Sequence, residues 1–214
     1  MTGTETQTGI TLLQAWQYGG HLMWVLAGLS VLAFAAVLYL LFTQRLGGLA
    51  PRTLLSDVFS RLQSRDYKEA RRLCERRPCA FASIALAALD SAQYTPAGAR
   101  VDVAQAVETA GAHVAERMQA SVDWLADLAA IAPLVGLLGT VLGLFQAFGG
   151  IASDLAANAR PVVLAQGVSQ AIVTTVFGLV ISIPCLFFHA ILRRRTAKRI
   201  ATLETYAVIL QKAF

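Results

Sequence analysis

Long uncharged stretches alternate along the chain with one long polar region. Charge-free runs extend from Leu22 to Gln44, from Leu128 to Ser153 and from Pro161 to Leu192. Each exceeds the roughly 20 apolar residues that a helix needs to cross about 30 Å of hydrocarbon. Three such runs in 214 residues leave too little polar chain to cover them in water. The pattern therefore predicts an all-α membrane protein with three transmembrane helices.

The uncharged runs divide the chain into seven segments. The three predicted transmembrane helices are 22–43, 128–150 and 164–192. The N-terminal segment, the helical domain, the short loop and the C-terminal helix that lie around them are 1–21, 44–127, 151–163 and 193–214, respectively. In the helical domain, apolar residues recur at intervals of three and four from Val103 to Leu125, which predicts a long helix that starts near Ala99 and continues into the second span.

The basic residues are distributed unevenly, and this predicts the orientation of the spans. No Lys or Arg precedes Arg45, and only Arg160 lies between the second and third spans. By the positive-inside rule, segments 1–21 and 151–163 lie outside, and the helical domain and the C-terminus lie in the cytoplasm. A nucleic-acid site is disfavoured as the reason for the net charge of +5. We predict that Arg193, Arg194 and Arg195 bind lipid headgroups at the inner surface, where each basic residue gains about 1 kcal/mol.

The polar region carries no constellation typical of an enzyme. It has no Gly-rich phosphate loop, no paired catalytic carboxylates and no nucleophile next to a base. Cys74 and Cys79 lack nearby histidines at metal-ligand spacing, so ordinary thiols are the expected state. We therefore predict no catalytic site, no metal and no cofactor other than an ion gradient.

Small residues on the second and third spans predict close contact between helices. Gly139 and Gly143 form a G-x-x-x-G pair, which is typical of helices that pack tightly in lipid. The residues that we assign to helix packing are Pro133, Gly136, Gly139, Gly143, Gly178 and Pro184.

Four hydroxyl side chains in these spans are candidates for lining an ion pathway: Thr140, Thr174, Thr175 and Ser182. Taken singly, each could simply bond to its own helix one turn back. The occurrence of Thr140 and Thr175 together, within glycine-rich faces, favours the pathway. Because no Asp, Glu, Lys or Arg lies inside a span, an ion path needs a carboxylate from another chain. His189 is expected to be an interfacial residue rather than a proton relay.

Two blocks, Ile131–Gly143 and Gln170–Pro184, resemble the signature of the ExbB/TolQ/MotA proton-channel family, and the chain is most similar to ExbB. The resemblance implies a bacterial inner-membrane ring, generally a pentamer, whose second and third spans line a pore. It implies two single-span partners of the ExbD/TolR type, each bringing an ion-carrying aspartate. The pore threonines of the family map onto Thr140 and Thr175. The expected ion is H⁺, although Thr174 leaves Na⁺ open.

The resemblance leaves several functions open. The leading hypothesis is an ExbB-like subunit that energises TonB-dependent transport across the outer membrane, with a TonB-like protein as a further partner. The alternatives are a TolQ-like subunit of the Tol-Pal system and a membrane scaffold that conducts no ions. MotA has four spans, which disfavours a flagellar stator. Many relatives have Glu where this chain has Gln170, which we expect at the inner-loop side of the third span.

Overall fold

A computed structural model describes Gly20 and residues 22–46, 52–94, 100–152 and 160–213 of the chain. These residues form six helices and no strand, which confirms the prediction of an all-α protein. The helices are α1 (Leu22–Leu46), α2 (Arg52–Gln63), α3 (Tyr67–Arg76), α4 (Ala80–Tyr94), α5 (Arg100–Ala152) and α6 (Arg160–Ala213). Most of the predicted N-terminal segment and residues 153–159 of the predicted loop lie outside the described residues.

Three of these helices, α1, α5 and α6, are long and apolar enough to cross a membrane. This confirms the three spans expected from the uncharged runs. As predicted, α5 continues without a break from the polar region into the second span. The C-terminal helix predicted at 193–214 is the last part of α6, which also contains the third span. Pro133 and Pro184 lie inside α5 and α6 and do not end them.

The chain divides into two compact units. The apolar unit comprises the described residues of Met1–Val37 and Leu125–Phe188, which include the apolar parts of α1, α5 and α6. The polar unit comprises those of Leu38–Trp124 and His189–Phe214. The helices α5 and α6 contribute residues to both units.

The polar unit has a core of bulky apolar side chains like that of a water-soluble domain. Phe81 on α4 is fully buried, with its ring centroid 6.0 Å from that of Phe59 and 6.2 Å from that of Tyr206. Cys74 on α3 is buried in the same core, and this burial raises the pKa of its thiol to about 11. The core thus joins α2, α3, α4 and the C-terminal part of α6 through apolar contacts.

A tight turn joins α2 to α3. Arg65 has a φ of 57°, and its N–H donates to the carbonyl of Leu62 while the N–H of Asp66 donates to that of Arg61. This is the Schellman arrangement, which satisfies the last carbonyls of α2. The Asp66 side chain then accepts the N–H of Glu69 and caps α3. The three residues between Gln63 and Tyr67 therefore end one helix and begin the next.

Ion pairs also connect the short helices. Arg71 on α3 bonds Glu75 at 2.9 Å on its own helix and Asp90 on α4 at 2.7 Å. Both carboxylates raise the pKa of the Arg71 guanidinium. Arg77, just after α3, donates to the hydroxyl of Thr53 on α2 at 3.3 Å. These links lie at the surface, where solvent screening leaves each ion pair only a small contribution to stability.

Candidate functional site

The apolar unit is built around a contact between α5 and α6 in which the two backbones almost touch. A Cβ atom added at Gly178 would lie 2.7 Å from the carbonyl oxygen of Ala132, and one added at Gly136 would lie 2.9 Å from that of Thr174. One added at Gly143 would lie 3.0 Å from that of Gly167. The paired residue numbers rise on one helix as they fall on the other, so the helices are antiparallel here. No side chain larger than hydrogen fits at these glycines without moving backbone.

The structure places most of the residues assigned to helix packing at this contact. Gly139 faces the side chain of Thr174, and the Cα of Pro133 lies 3.4 Å from the Cβ position of Gly178. Pro184, assigned to the same role, is exposed on α6. Gly167, which sequence reasoning missed, packs against Ala147 on α5. Its spacing from Ala171, Thr174 and Gly178 on the same helix face is the signal that could have identified it.

Two of the four candidate hydroxyls are buried in the contact between α5 and α6. The Ser182 hydroxyl donates to the carbonyl of Ala129 at 2.6 Å, across to the other helix. Thr174 is fully buried, and its hydroxyl lies 3.0 Å from the carbonyl oxygen of Ala171 and 3.4 Å from that of Gly136. The Ser182 hydroxyl therefore joins the two helices, whereas the Thr174 hydroxyl lies closest to carbonyls of its own helix, those of Ala171 at 3.0 Å and Gln170 at 3.2 Å.

The other two candidate hydroxyls are partly exposed. Thr175 donates to the Gly136 carbonyl at 3.3 Å, and Thr140 donates to the carbonyl of Leu137 on its own helix at 2.6 Å. A hydroxyl has one proton but two lone pairs, so each oxygen can still accept a hydrogen bond or contact a cation. The structure therefore separates the four hydroxyls into a buried and a partly exposed pair. A role for any of them in an ion path stays a prediction.

Gln170 lies at the end of the apolar unit where α1 begins. Gly20, with a φ of +62°, precedes α1, and a Cβ added there would lie 2.7 Å from the Gln170 side-chain nitrogen. The sequence-based placement of Gln170 at the inner-loop side of the third span is therefore wrong. It lies only ten residues after Arg160, at the start of α6, and thus on the side of the loop that joins the second and third spans.

The outer surface of the apolar unit consists of large apolar side chains. Trp24 on α1, Phe145 on α5 and Ile183 on α6 are each at least 64% exposed within the chain. Apolar surface of this extent requires a cover of lipid or protein. The stretch of α5 from Leu128 to Gly150 and the stretch of α6 from Pro161 to Phe188 contain no Asp, Glu, Lys or Arg. These two stretches offer an ion hydroxyl and carbonyl oxygens, but no charged side chain.

The basic residues that follow the third span lie in the polar unit. Arg193, Arg194 and Arg195 are all exposed, and their binding to lipid headgroups stays a prediction. Arg199 donates to the backbone carbonyl of Gln44 and so joins α6 to α1. Among the described residues, no group of three or more His, Cys, Asp or Glu side chains is arranged to hold a metal ion.

Comparison with known proteins gives matches along most of the chain. Residues 80–205, more than half of the chain, match the family model of the MotA/TolQ/ExbB proton channel family. A putative biopolymer transport protein ExbB-like 3 from Synechocystis sp. is 30% identical over 188 residues, which is 87% of each chain. Biopolymer transport protein ExbB from Salmonella typhimurium is 39% identical over 84 residues. Tol-Pal system protein TolQ from Pseudomonas aeruginosa is 32% identical over 105 residues.

The last two matches are partial. They cover 39% and 49% of this chain, and 34% of that ExbB and 45% of that TolQ. The chain therefore aligns with less than half the length of these two relatives.

Proposed function

The chain belongs to the MotA/TolQ/ExbB proton channel family, and on this premise we propose that it is the pore-forming subunit of an ion-driven motor in a bacterial inner membrane. In this proposal the subunit is ExbB-like, and it energises transport across the outer membrane through a TonB-like protein. Its N-terminus is periplasmic and its C-terminus cytoplasmic, as the distribution of Arg and Lys favours. The driving ion is H⁺.

The observation that carries the proposal is the pairing of two uncharged spans with partly exposed hydroxyls. Thr140 and Thr175 offer oxygen atoms, while neither span has a carboxylate that could carry an ion. A charged carrier must therefore come from another chain, and a single-span partner of the ExbD type with an intramembrane aspartate fits that need. The exposed apolar surface of α1, α5 and α6 supports assembly of several copies, for which a pentamer is proposed.

Purification with the candidate partner tests the assembly. The chain is expressed together with the aspartate-bearing single-span protein, and the mass of the complex is determined in detergent. A mass that fits five copies of this chain with two partners is the expected result. Recovery of a monomer or dimer without a partner would remove the ion carrier and favour a membrane scaffold that conducts no ions.

Substitution of the two adjacent threonines tests the ion path. Thr175→Val should reduce proton flux through the reconstituted complex by about 10- to 100-fold, because a hydrogen bond to a charged group contributes about 1.5–3 kcal/mol. The same change at Thr174, whose hydroxyl is buried in the helix contact, should lower stability slightly and leave most of the flux. Equal flux in Thr175→Val and wild type would contradict the proposed pathway.

A TolQ-like role is the second candidate, and the similarity to TolQ from Pseudomonas aeruginosa favours it. The two roles differ in the component that the motor drives. Co-purification of a TonB-like protein would support the ExbB-like role. Co-purification of a periplasmic propeller protein and a lipoprotein would support the TolQ-like role.

A further inference from the structure

His189 has an unusual environment in the polar unit. Its side chain is only 14% exposed, and its Nε2 atom is buried without a hydrogen-bond partner among the described residues. The nearest carboxylate oxygen, Oδ1 of Asp123 on α5, lies 3.8 Å away. That distance is too long for a hydrogen bond but suits an ion pair. The imidazole is therefore placed to gain a partner either by binding a proton or by binding water.

A polar cavity of about 230 Å³ lies beside Asp123. It is lined by Gln119, Val122, Asp123, Arg193, Thr196 and Ala197. The volume is sufficient for water, which occupies about 30 Å³ per molecule in the liquid. Polar groups on both helices face it, so water there finds the two to four partners that it needs.

A second buried atom without a partner lies next to this cavity. Gln44 on α1 donates from its side-chain nitrogen to the Thr196 hydroxyl at 3.0 Å, but its Oε1 is buried and has no partner among the described residues. Thr196 lines the cavity, as Asp123 does. Buried polar atoms are rarely left without a hydrogen bond. Each of the two unpartnered atoms is thus one residue away from the cavity, His189 through Asp123 and Gln44 through Thr196.

Contrary to the expectation from the sequence that His189 is an interfacial residue and not a proton relay, we propose that His189 and Asp123 form a proton-binding pair, supplied with water by the cavity beside Asp123, through which protons enter or leave the polar unit. The proposal rests on the proposed function, since it concerns the ion that the complex conducts. His189 is well placed for this role, because it is the only Asp, Glu, Lys, Arg or His between Pro161 and Leu192. His189 is thus the first ionisable side chain at the C-terminal end of the third span, and it faces the carboxylate of Asp123.

The transfer proceeds in two balanced steps. A hydronium ion in the cavity gives a proton to the Asp123 carboxylate, which leaves water and a neutral carboxylic acid. The O–H of this acid then gives its proton to Nε2, which forms an imidazolium ion and restores the carboxylate. Asp123 is 62% exposed, so its side chain can rotate to shorten the 3.8 Å separation to hydrogen-bond length. Release of the proton follows the same steps in reverse.

Polar and charged groups from two helices surround the pair. From α6, Arg193 lines the cavity that Asp123 also lines. From α1, the neutral Gln44 donates to Thr196, and its backbone carbonyl accepts from Arg199. Asp123 thus shares a cavity with Arg193 and lies 3.8 Å from the imidazole of His189.

Proton flux tests the pair directly. The chain and its aspartate-bearing partner are reconstituted in vesicles, and the internal pH is followed with a dye. His189→Gln and Asp123→Asn should each reduce the flux at least about tenfold, because a positioned proton donor contributes at least that much. His113→Gln is the matched control. His113 also lies 3.9 Å from a carboxylate, that of Glu116, but it is 73% exposed. The complex that carries His113→Gln should conduct protons like wild type.

A spectroscopic measurement separates failure of this inference from failure of the proposed function. In purified protein with ¹⁵N-labelled histidine, Asp123→Asn should change the ring nitrogen shifts of His189 and leave those of His113 unchanged. Unchanged His189 shifts would overturn the pair, as would wild-type flux in His189→Gln. If the wild-type complex conducts no protons but the His189 shifts change, the motor function fails and the proton-binding pair stands.

Discussion

The interior of the apolar unit and the interior of the polar unit are stabilised in opposite ways. In the polar unit, Phe81 is fully buried between Phe59 and Tyr206. Arg71 on α3 forms an ion pair with Asp90 on α4. In the apolar unit the large side chains point outward, and glycine brings the two helix backbones into contact. Phe34 on α1, for example, is 67% exposed.

The difference follows from the solvent that each unit is built for. Burial of apolar surface stabilises a domain in water by about 25 cal/mol per Å². Between helices in lipid that driving force is absent, since lipid tails are as apolar as leucine, and close backbone packing and hydrogen bonds replace it. The same chain therefore uses large residues inside one unit and small residues inside the other.

The largest expected effect comes from removing a ring in the polar unit. Phe81→Ala should destabilise that unit by about 3–5 kcal/mol, because it leaves a cavity in a buried core. Hydrogen exchange of the α2, α3 and α4 amides in detergent measures the loss. Phe34→Ala removes the same ring from an exposed position and should have little effect. Equal protection in both variants would break the contrast between the units.

A smaller effect is expected from adding a methyl group in the apolar unit. Gly178→Ala places a Cβ 2.7 Å from the Ala132 carbonyl oxygen, and forcing the helices apart should cost about 1–3 kcal/mol. Gly28→Ala on α1 meets no atom within 4 Å and should stabilise its helix by about 0.5–1 kcal/mol. The midpoint temperature of thermal unfolding in detergent should therefore fall in Gly178→Ala and rise in Gly28→Ala. Shifts in the same direction would show that backbone contact does not hold α5 against α6.

The last effect, which is absent below pH 9, is a pH dependence in the core of the polar unit. Burial raises the pKa of the Cys74 thiol from 9.0 to about 11. Above pH 9 the unfolded thiol loses its proton while the folded one keeps it, so the free energy of unfolding should fall as pH rises from 9 to 11. Cys74→Val fills the site without a titrating group and should show a shallower fall. Identical slopes would mean that this core admits water.

The sequence predicts the small-residue face, but it leaves the partner of each glycine open. The periodicity of Gly136, Gly139 and Gly143 defines one side of the second span. Only the structure pairs Gly143 with Gly167 and Gly139 with Thr174. The reason is that helical periodicity fixes which residues share a face, whereas the vertical register between two helices depends on tertiary packing.

The two adjacent threonines show a second limit. Successive residues on a helix point about 100° apart, so Thr174 and Thr175 differ in burial, although the hydroxyls of both lie within 3.4 Å of the Gly136 carbonyl oxygen. The sequence groups them as equivalent candidates, but the structure buries Thr174 completely and leaves Thr175 partly exposed. The spacing of Ala171, Thr174 and Gly178 marks the face of α6 that contains Thr174, but only the structure shows that this face contacts α5.

The uncharged spans of the apolar unit also have an electrical consequence. A membrane potential of 100 mV does about 2.3 kcal/mol of work on each elementary charge that crosses it. The parts of α5 and α6 between Leu128 and Gly150 and between Pro161 and Phe188 carry no such charge. Their antiparallel macrodipoles, moreover, largely cancel. The voltage therefore exerts almost no force on this helix pair, and nearly all of its work is available to a charge that moves past the pair.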